Sequence, residues 1–415
     1  METYEESLLK KRENIGCGLS GDVDKFTHHG KELVAKQIRY SEQSNTMLVD
    51  SLREIAFLNY LDHPSIIKPR LITKKHIIFD LHGLSLYHWI KSKQRMDTKF
   101  TEDEIRHVAK QCLLALDYMN KAKVVHLDIK PDNILIEYDN KINISNAKVI
   151  LCDFNISTLD IGDNNRTEEV CAQIYRAPEC FNYKYSHKSD IWSLACVLWE
   201  MYLRDYFIKA GRKYREIAKD YVVFGRIIQR LGMMDQRLID KYKVQHYINS
   251  MSYNDDQWTI NKAPMVVSNI KDRLNSMGGF GHLLSLMLEY DYDKRISAAD
   301  ALNHPWIAST LNNSQLRIAP TISLKTTNSY LLVDEMQEKH NLSDIVVILT
   351  KNLLNHLNLY TEYNQWIVLC MISSLTDQQE LDFYAHSPDP SFLNNSYKHA
   401  IDFIIDKSNG KLIQC

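Results

Sequence analysis

The sequence has no run of about 18 apolar residues. Its greasiest stretch, Ile191 to Leu203, is broken by Ser193 and Glu200, so no membrane-spanning helix is expected. It also lacks any C-x-x-C pair among its 8 scattered cysteines, which speaks against a structural zinc site and against a disulfide framework. Free thiols in a reducing, intracellular compartment are the expectation. There is no excess of one charge. Lys+Arg 50 against Asp+Glu 52 leaves a formal net charge of -2, and no global basic field points to nucleic acid or an acidic membrane. The opening METYEESLLKKREN has no apolar core, so a secretory signal is not expected there. Neither repeats nor low-complexity blocks occur. What remains is a chain of 415 residues, 45% hydrophobic and 25% charged, a composition that packs into globular domains, two or three of them at this length.

One composition shift divides the chain. After His304-Pro305-Trp306 comes a polar stretch rich in Asn, Ser and Thr, predicted to be a linker over 308–330. Beyond it, Leu332, Met336, Ile345, Ile348, Leu349, Leu353 and Leu357 recur at three and four, the spacing of helices, so 331–405 is expected to be a small all-α domain. The first eighty residues read as strands around one helix. Glu32 to Ile38 alternates like a half-buried strand, and Met47 to Leu61 places Leu48, Leu52, Ile55 and Leu58 on one helical face before His63-Pro64 ends it. Glu102 to Asn120 and Asp190 to Tyr202 predict long, largely apolar helices. A small mixed lobe followed by a helical lobe, with a cleft between, is an α+β arrangement.

Gly16-Cys17-Gly18-Leu19-Ser20-Gly21-Asp22-Val23 fits G-x-G-x-x-G-x-V. Alone it is compatible with a dinucleotide-binding turn, a ligand-free hairpin or a phosphate-covering loop. The first needs a helix next and an acidic residue about 20 positions on. Here a strand is predicted from Asp22 to His28, and Lys36 follows in Val34-Ala35-Lys36. Glycines let backbone N–H groups approach phosphate oxygens closely. Glu54 lies on the next helix, placed to hold Lys36. Then come His126-Leu127-Asp128-Ile129-Lys130-Pro131-Asp132-Asn133, Asp153-Phe154-Asn155 and Ala177-Pro178-Glu179. Phosphoryl transfer needs in-line positioning and neutralised oxygens rather than covalent help. Asp128 can take the hydroxyl proton, Lys130 can sit near the moving phosphate, and Asn133 and Asp153 can hold Mg²⁺.

This ordered set resembles the protein kinase family, over residues 11–307, and implies a bilobal fold with a small β-rich N-lobe and a large helical C-lobe. Lys130 matches the serine/threonine form of the catalytic loop. Tyr175-Arg176-Ala177-Pro178-Glu179, Asp190-Ile191-Trp192-Ser193 and Asp293-Lys294-Arg295-Ile296 resemble the cyclin-dependent and MAP kinase branch. The resemblance implies ATP and Mg²⁺ as cofactors and protein Ser/Thr hydroxyls, followed by proline, as substrate. Asp128 and Lys130 would be catalytic; Asn133 and Asp153 would hold metal. Residues 15–23 (Ile15, Gly16, Cys17, Gly18, Leu19, Ser20, Gly21, Asp22 and Val23) with Ala35, Lys36, Glu54 and Leu135 would bind ATP, helped by hinge backbone near Asp80 and His82 behind the gatekeeper Phe79. Arg295 would pair with Glu179 to brace the substrate loop, and Arg176 would favour proline after the target residue. The competing readings are a pseudokinase scaffold binding partners through its tail and a small-molecule kinase of related fold.

Several positions depart from the family pattern. Leu127 and Thr158 fill two places of an arginine cradle for a phosphorylated activation loop, leaving Arg53 alone, while Thr167 aligns with the phosphorylated threonine. Asn155 replaces the glycine of D-F-G, where asparagine is expected to tolerate positive φ. Ala172 stands where a threonine is usual. The tail over 331–405 is similar to a cyclin box in pattern and order, with Leu375 and Asp402 at the partner-contacting lysine and glutamate positions. Ser51-Leu52-Arg53-Glu54-Ile55 resembles the cyclin-docking helix. A linker of about 22 residues spans at most ~70 Å, which permits docking in cis or, between two chains, in trans. With two of three cradle arginines missing, Thr167→Ala is expected to keep most of the wild-type turnover in a phosphate-transfer assay. A variant that loses it would show that phosphorylation at Thr167 is required.

Overall fold

The computed structural model describes residues 7, 12–18, 21–38, 54–55, 57–58, 60–73, 75–137, 144–160, 172–209, 220–249, 251–254, 257–260, 263–265 and 270–308. The predicted linker beyond Ala308, which instead ends the helix Pro305–Ala308, the helical tail, Arg53 and Thr167 lie outside them. The described chain divides into a small unit, made of residues up to His82 with Asp153–Leu159, and a large unit, made of Gly83–Cys152 and the residues from Asp160 on.

The small unit is a five-stranded antiparallel sheet in the order β1-β2-β3-β5-β4. Its strands are β1 (Arg12–Gly18), β2 (Gly21–His28), β3 (Lys31–Gln37), β4 (Pro69–Ile72) and β5 (His76–Asp80). Period-2 alternation fixes which face of β3 is buried. Leu33 and Ala35 join Phe26 and Ile78 in one apolar cluster, with Leu71 packed against it. The glycine-rich segment is the tip of the β1–β2 hairpin, pairing Gly16 with Val23 and Gly18 with Gly21. No helix follows it, which removes the dinucleotide-turn reading. At Gly21, φ is +132° and an added Cβ would lie 2.5 Å from the Gln37 carbonyl oxygen, so only glycine fits there. Glu54, Ile55, Phe57, Leu58 and Tyr60 are helical, the described part of the helix predicted over Met47 to Leu61.

The large unit is mainly helical. α1 spans Leu86–Arg95 and α2 spans Glu102–Lys121. α2 starts at a capping box, the Thr101 side chain accepting from the Glu104 N–H and Glu104 reaching back. α3 (His187–Leu203) is apolar on nearly every side and correspondingly buried, with Trp192, Leu194 and Leu198 fully inaccessible. α4 spans Asp220–Leu231. The strands Leu84–Ser85, Ile134–Glu137 and Lys148–Leu151 form a small antiparallel sheet. A second meander, unforeseen from the sequence, runs through Met251–Asn254, Gln257–Ile260 and Ala263–Met265. Among the described residues no helix is long and apolar enough to cross a membrane. Cys112, Cys152, Cys180 and Cys196 form no disulfide among the described residues.

A buried ion pair ties distant parts of the large unit. Arg295 donates from Nη1 to Glu179 Oε1 at 2.6 Å and from Nη2 to Oε2 at 2.9 Å, with side-chain exposures of 0% and 1%. Further Arg295 donors reach the carbonyls of Lys188 and Glu289, and Ser189 donates to Glu179. Satisfying every fork of the guanidinium is what makes its burial tolerable. Arg295→Ala is expected to destabilise the protein by about 3–5 kcal/mol by stranding the Glu179 carboxylate, read in urea denaturation; a loss below about 1 kcal/mol would contradict this account.

Candidate active site

In the small unit Lys36 emerges from β3 beside β2 and β5, paired in register with Val23 and Ile77. Its ammonium donates to Glu54 Oε1 and Oε2 at 2.8 and 2.7 Å and to Asp153 Oδ1 at 2.7 Å. Burial opposes a charge on Lys36, but the carboxylates of Glu54 and Asp153 outweigh it and hold the ammonium above its ordinary pKa. Burial pushes Glu54 up, with Lys36 pulling the other way. Two carboxylates share one cation in a site where a phosphate would compete for the same charge. The expected positive φ is not at Asn155 but at Asp153, with φ 68°. The positive φ falls two residues earlier than the asparagine substitution implied, and Asn155 lies in the following turn.

The large unit carries the other cluster. Leu127 adopts φ 66°, a left-handed conformation that disfavours a branched side chain. Asp190 of α3 holds it there, accepting the N–H groups of His126 at 2.7 Å and Leu127 at 2.9 Å. Burial pushes the Asp190 carboxyl up to about 7, and the two backbone donors oppose that shift. His126 sits against the Cys152 carbonyl at 3.1 Å. The turn presents Asp128, whose Oδ2 accepts from Lys130 Nζ at 2.6 Å and from Asn133 Nδ2 at 2.8 Å. Asn133 Nδ2 also reaches the Asp128 carbonyl at 2.9 Å. Both side-chain donors land on Oδ2, leaving Oδ1 without a hydrogen bond among the described residues.

The remaining expected positions fall as follows. Ile15 is 46% exposed on β1. Cys17 and Gly18 belong to β1 and pair with Asp22 and Gly21, while Leu19 and Ser20 lie outside the described residues. Ala35 is buried, and Phe79 is buried opposite Val34. Leu135 lies on the strand Ile134–Glu137. Asp80 ends β5, bound by Arg70 at 2.7 and 3.2 Å and by Lys31 at 2.9 Å; the Arg70 hydrogen bonds, against some burial, bring its carboxyl down to about 2. His82 closes the small unit and Gly83 opens the large one. An added Cβ on Gly83 would meet the Ile136 carbonyl oxygen at 2.0 Å, so that position also requires glycine. Leu127 and Thr158 are both buried and uncharged, and Ala172 caps the short turn Gln173–Tyr175 without a side-chain hydrogen bond.

Two anchoring residues were not singled out from the sequence. Asp190 was quoted only as part of a longer motif. Glu200 was noted only as a break in the apolar stretch Ile191 to Leu203, yet it accepts from the Tyr175 hydroxyl at 2.7 Å. Burial lifts the Glu200 carboxyl to about 7, and its hydrogen bond anchors the stretch that leads to Glu179 from below. Among the described residues no group of three or more His, Cys, Asp or Glu could hold a metal ion. Asn133 carries an amide oxygen and Asp153 a carboxylate, donor types that suit a hard cation.

Residues 9–307 match the protein kinase domain family. A probable serine/threonine-protein kinase, clkA of Dictyostelium discoideum, is 29% identical over 282 residues, 61% of this chain and 30% of that protein. Mitogen-activated protein kinase 13 of Arabidopsis thaliana is 27% identical over 326 residues, 74% of this chain and 82% of the relative. Mitogen-activated protein kinase homolog NTF6 of Nicotiana tabacum is 28% identical over 311 residues, 71% of this chain and 76% of the relative. The chain thus spans less than a third of the Dictyostelium relative and about four fifths of the Arabidopsis one.

Proposed function

Since the chain belongs to the protein kinase family, we propose that it transfers the γ-phosphate of ATP to serine and threonine hydroxyls of proteins, at sites followed by proline. The observation that carries this reading is the catalytic turn itself: Lys130 and Asn133 both bond one oxygen of Asp128 and leave the other open to a hydroxyl proton. Relatives named serine/threonine-protein kinase and mitogen-activated protein kinase support the residue type.

In this reading Asp128 is the general base, worth roughly 10²–10⁴ in rate. Lys130, 2.6 Å from it, neutralises charge on the moving phosphoryl group without leaving the carboxylate. Lys36 anchors the α- and β-phosphates, positioned by Glu54. Backbone at residues 16–21 covers the phosphates; Val23, Ala35 and Leu135 contact the adenine, and the backbone at Asp80 and His82 bonds its edge. Asn133 and Asp153 would hold Mg²⁺, which when bound neutralises and orients the phosphate oxygens. Glu179 and Arg295 brace the substrate loop, and Arg176 selects proline. The pseudokinase reading weakens because Lys36, Glu54, Asp128, Asn133 and Asp153 are all retained.

The tail over 331–405 enters the proposal as a cyclin-box-like activator that holds Glu54 toward Lys36 by docking on its helix, its tether replacing a separate subunit. Two measurements test these readings. Asp128→Asn is expected to bind ATP near normally while turnover falls roughly 10²–10⁴-fold; persistent turnover removes Asp128 as base. A chain ending near residue 318 is expected to lose most of its activity, and undiminished phosphate transfer would leave the tail without an activating role.

A further inference from the structure

Arg176 is nearly inaccessible, with a side-chain exposure of 5%, yet it carries a permanent charge. Its Nη1 lies 3.2 Å from both carboxylate oxygens of Asp220, the first residue of α4. Asp220 Oδ1 also accepts from Gln173 Nε2 at 3.1 Å. Phe181 lies under the guanidinium at 5.3 Å and packs edge-on against Phe224 of α4 at 5.3 Å. One carboxylate therefore fixes the guanidinium and the turn Gln173–Tyr175 together, 44 positions away in sequence.

We propose that Asp220 is a positioning residue for substrate selection: by holding Arg176 and Gln173 it sets how strongly the enzyme favours proline immediately after the target serine or threonine. This rests on the proline-directed reading given above. An ordinary residue at that substrate position brings a backbone N–H that must find an acceptor once covered, whereas proline has none. Arg176 offers donors only. Asp220 is the neighbouring acceptor, and Gln173 and Arg176 already occupy it. A turn held in that state leaves the substrate N–H unsatisfied, a penalty on the order of tenfold in kcat/KM that proline escapes. Without the carboxylate, Arg176 and Gln173 lose their common anchor, and the loosened turn admits water that can accept the N–H of a non-proline substrate.

The test uses the full chain and two peptides that differ only in Pro or Ala after the target serine. Wild type is expected to favour the proline peptide by about tenfold or more in kcat/KM. Asp220→Ala is expected to bring that ratio close to one, through a fall in KM for the alanine peptide with kcat within about twofold of wild type. Asp220→Asn keeps an acceptor oxygen for Arg176 and is expected to fall between them. A strong wild-type preference that stays within about twofold in Asp220→Ala overturns the positioning role alone. Should Asp220→Ala fail to fold, the Asp220→Asn ratio decides, and an unchanged value overturns the role. A wild-type ratio near one overturns the proline-directed reading and the positioning role with it.

Discussion

The catalytic turn exists because one buried carboxylate has two backbone N–H groups to accept. Leu127 sits at φ 66°, a conformation that costs a non-glycine residue about 1–2 kcal/mol. The Asp190 carboxylate, bonded to His126 and Leu127, offsets that cost with two charge-assisted bonds in a water-free setting. Once the turn is pinned, Lys130 and Asn133 can meet the same oxygen of Asp128. Remove the acceptor and three side chains lose their common frame, although none of them touches Asp190.

The same logic recurs with opposite sign. Lys36 and Arg295 are buried cations, and each is satisfied by carboxylates that the chain brings from far away: Glu54 and Asp153 for the first, Glu179 for the second. The two arrangements differ in what they permit. Arg295 is locked in a forked pair with backbone carbonyls filling its other donors, which suits a brace. Lys36 is a compact point charge shared by two acids, which suits a group able to exchange one anionic partner for another. The branch of side chain at each place follows from its task.

Much of this was legible in the residues. Alternation in Glu32 to Ile38 located β3, apolar spacing located α2 and α3, and the order Lys36, Glu54, Asp128, Asn133, Asp153 carried the resemblance to the family that residues 9–307 match. Fine backbone geometry was not. Asn155 was expected to carry the positive φ, yet Asp153 does, because local tolerance of a conformation says only where it is cheap and not where the fold imposes it. The meander over Met251–Asn254, Gln257–Ile260 and Ala263–Met265 escaped notice, since strands of three or four residues have too few alternations to be told from loops. Asp220 gave no signal at all: its partner is 44 residues away, and no local pattern marks a long-range ion pair.

The sequence alone determined which chemical groups are present, in what order, and on which periodic elements they ride, because helix and strand periods are local properties of the chain. It also led to the expectation that Glu54 is placed to hold Lys36, while their burial together came from the structure. Only the tertiary structure decided the pairings across long separations, such as Asp190 under the catalytic turn, Glu200 under Tyr175 and Asp220 beside Arg176. Those contacts depend on how packed helices bring distant surfaces together, and that information resides in the summed packing of the core rather than in any single stretch of residues.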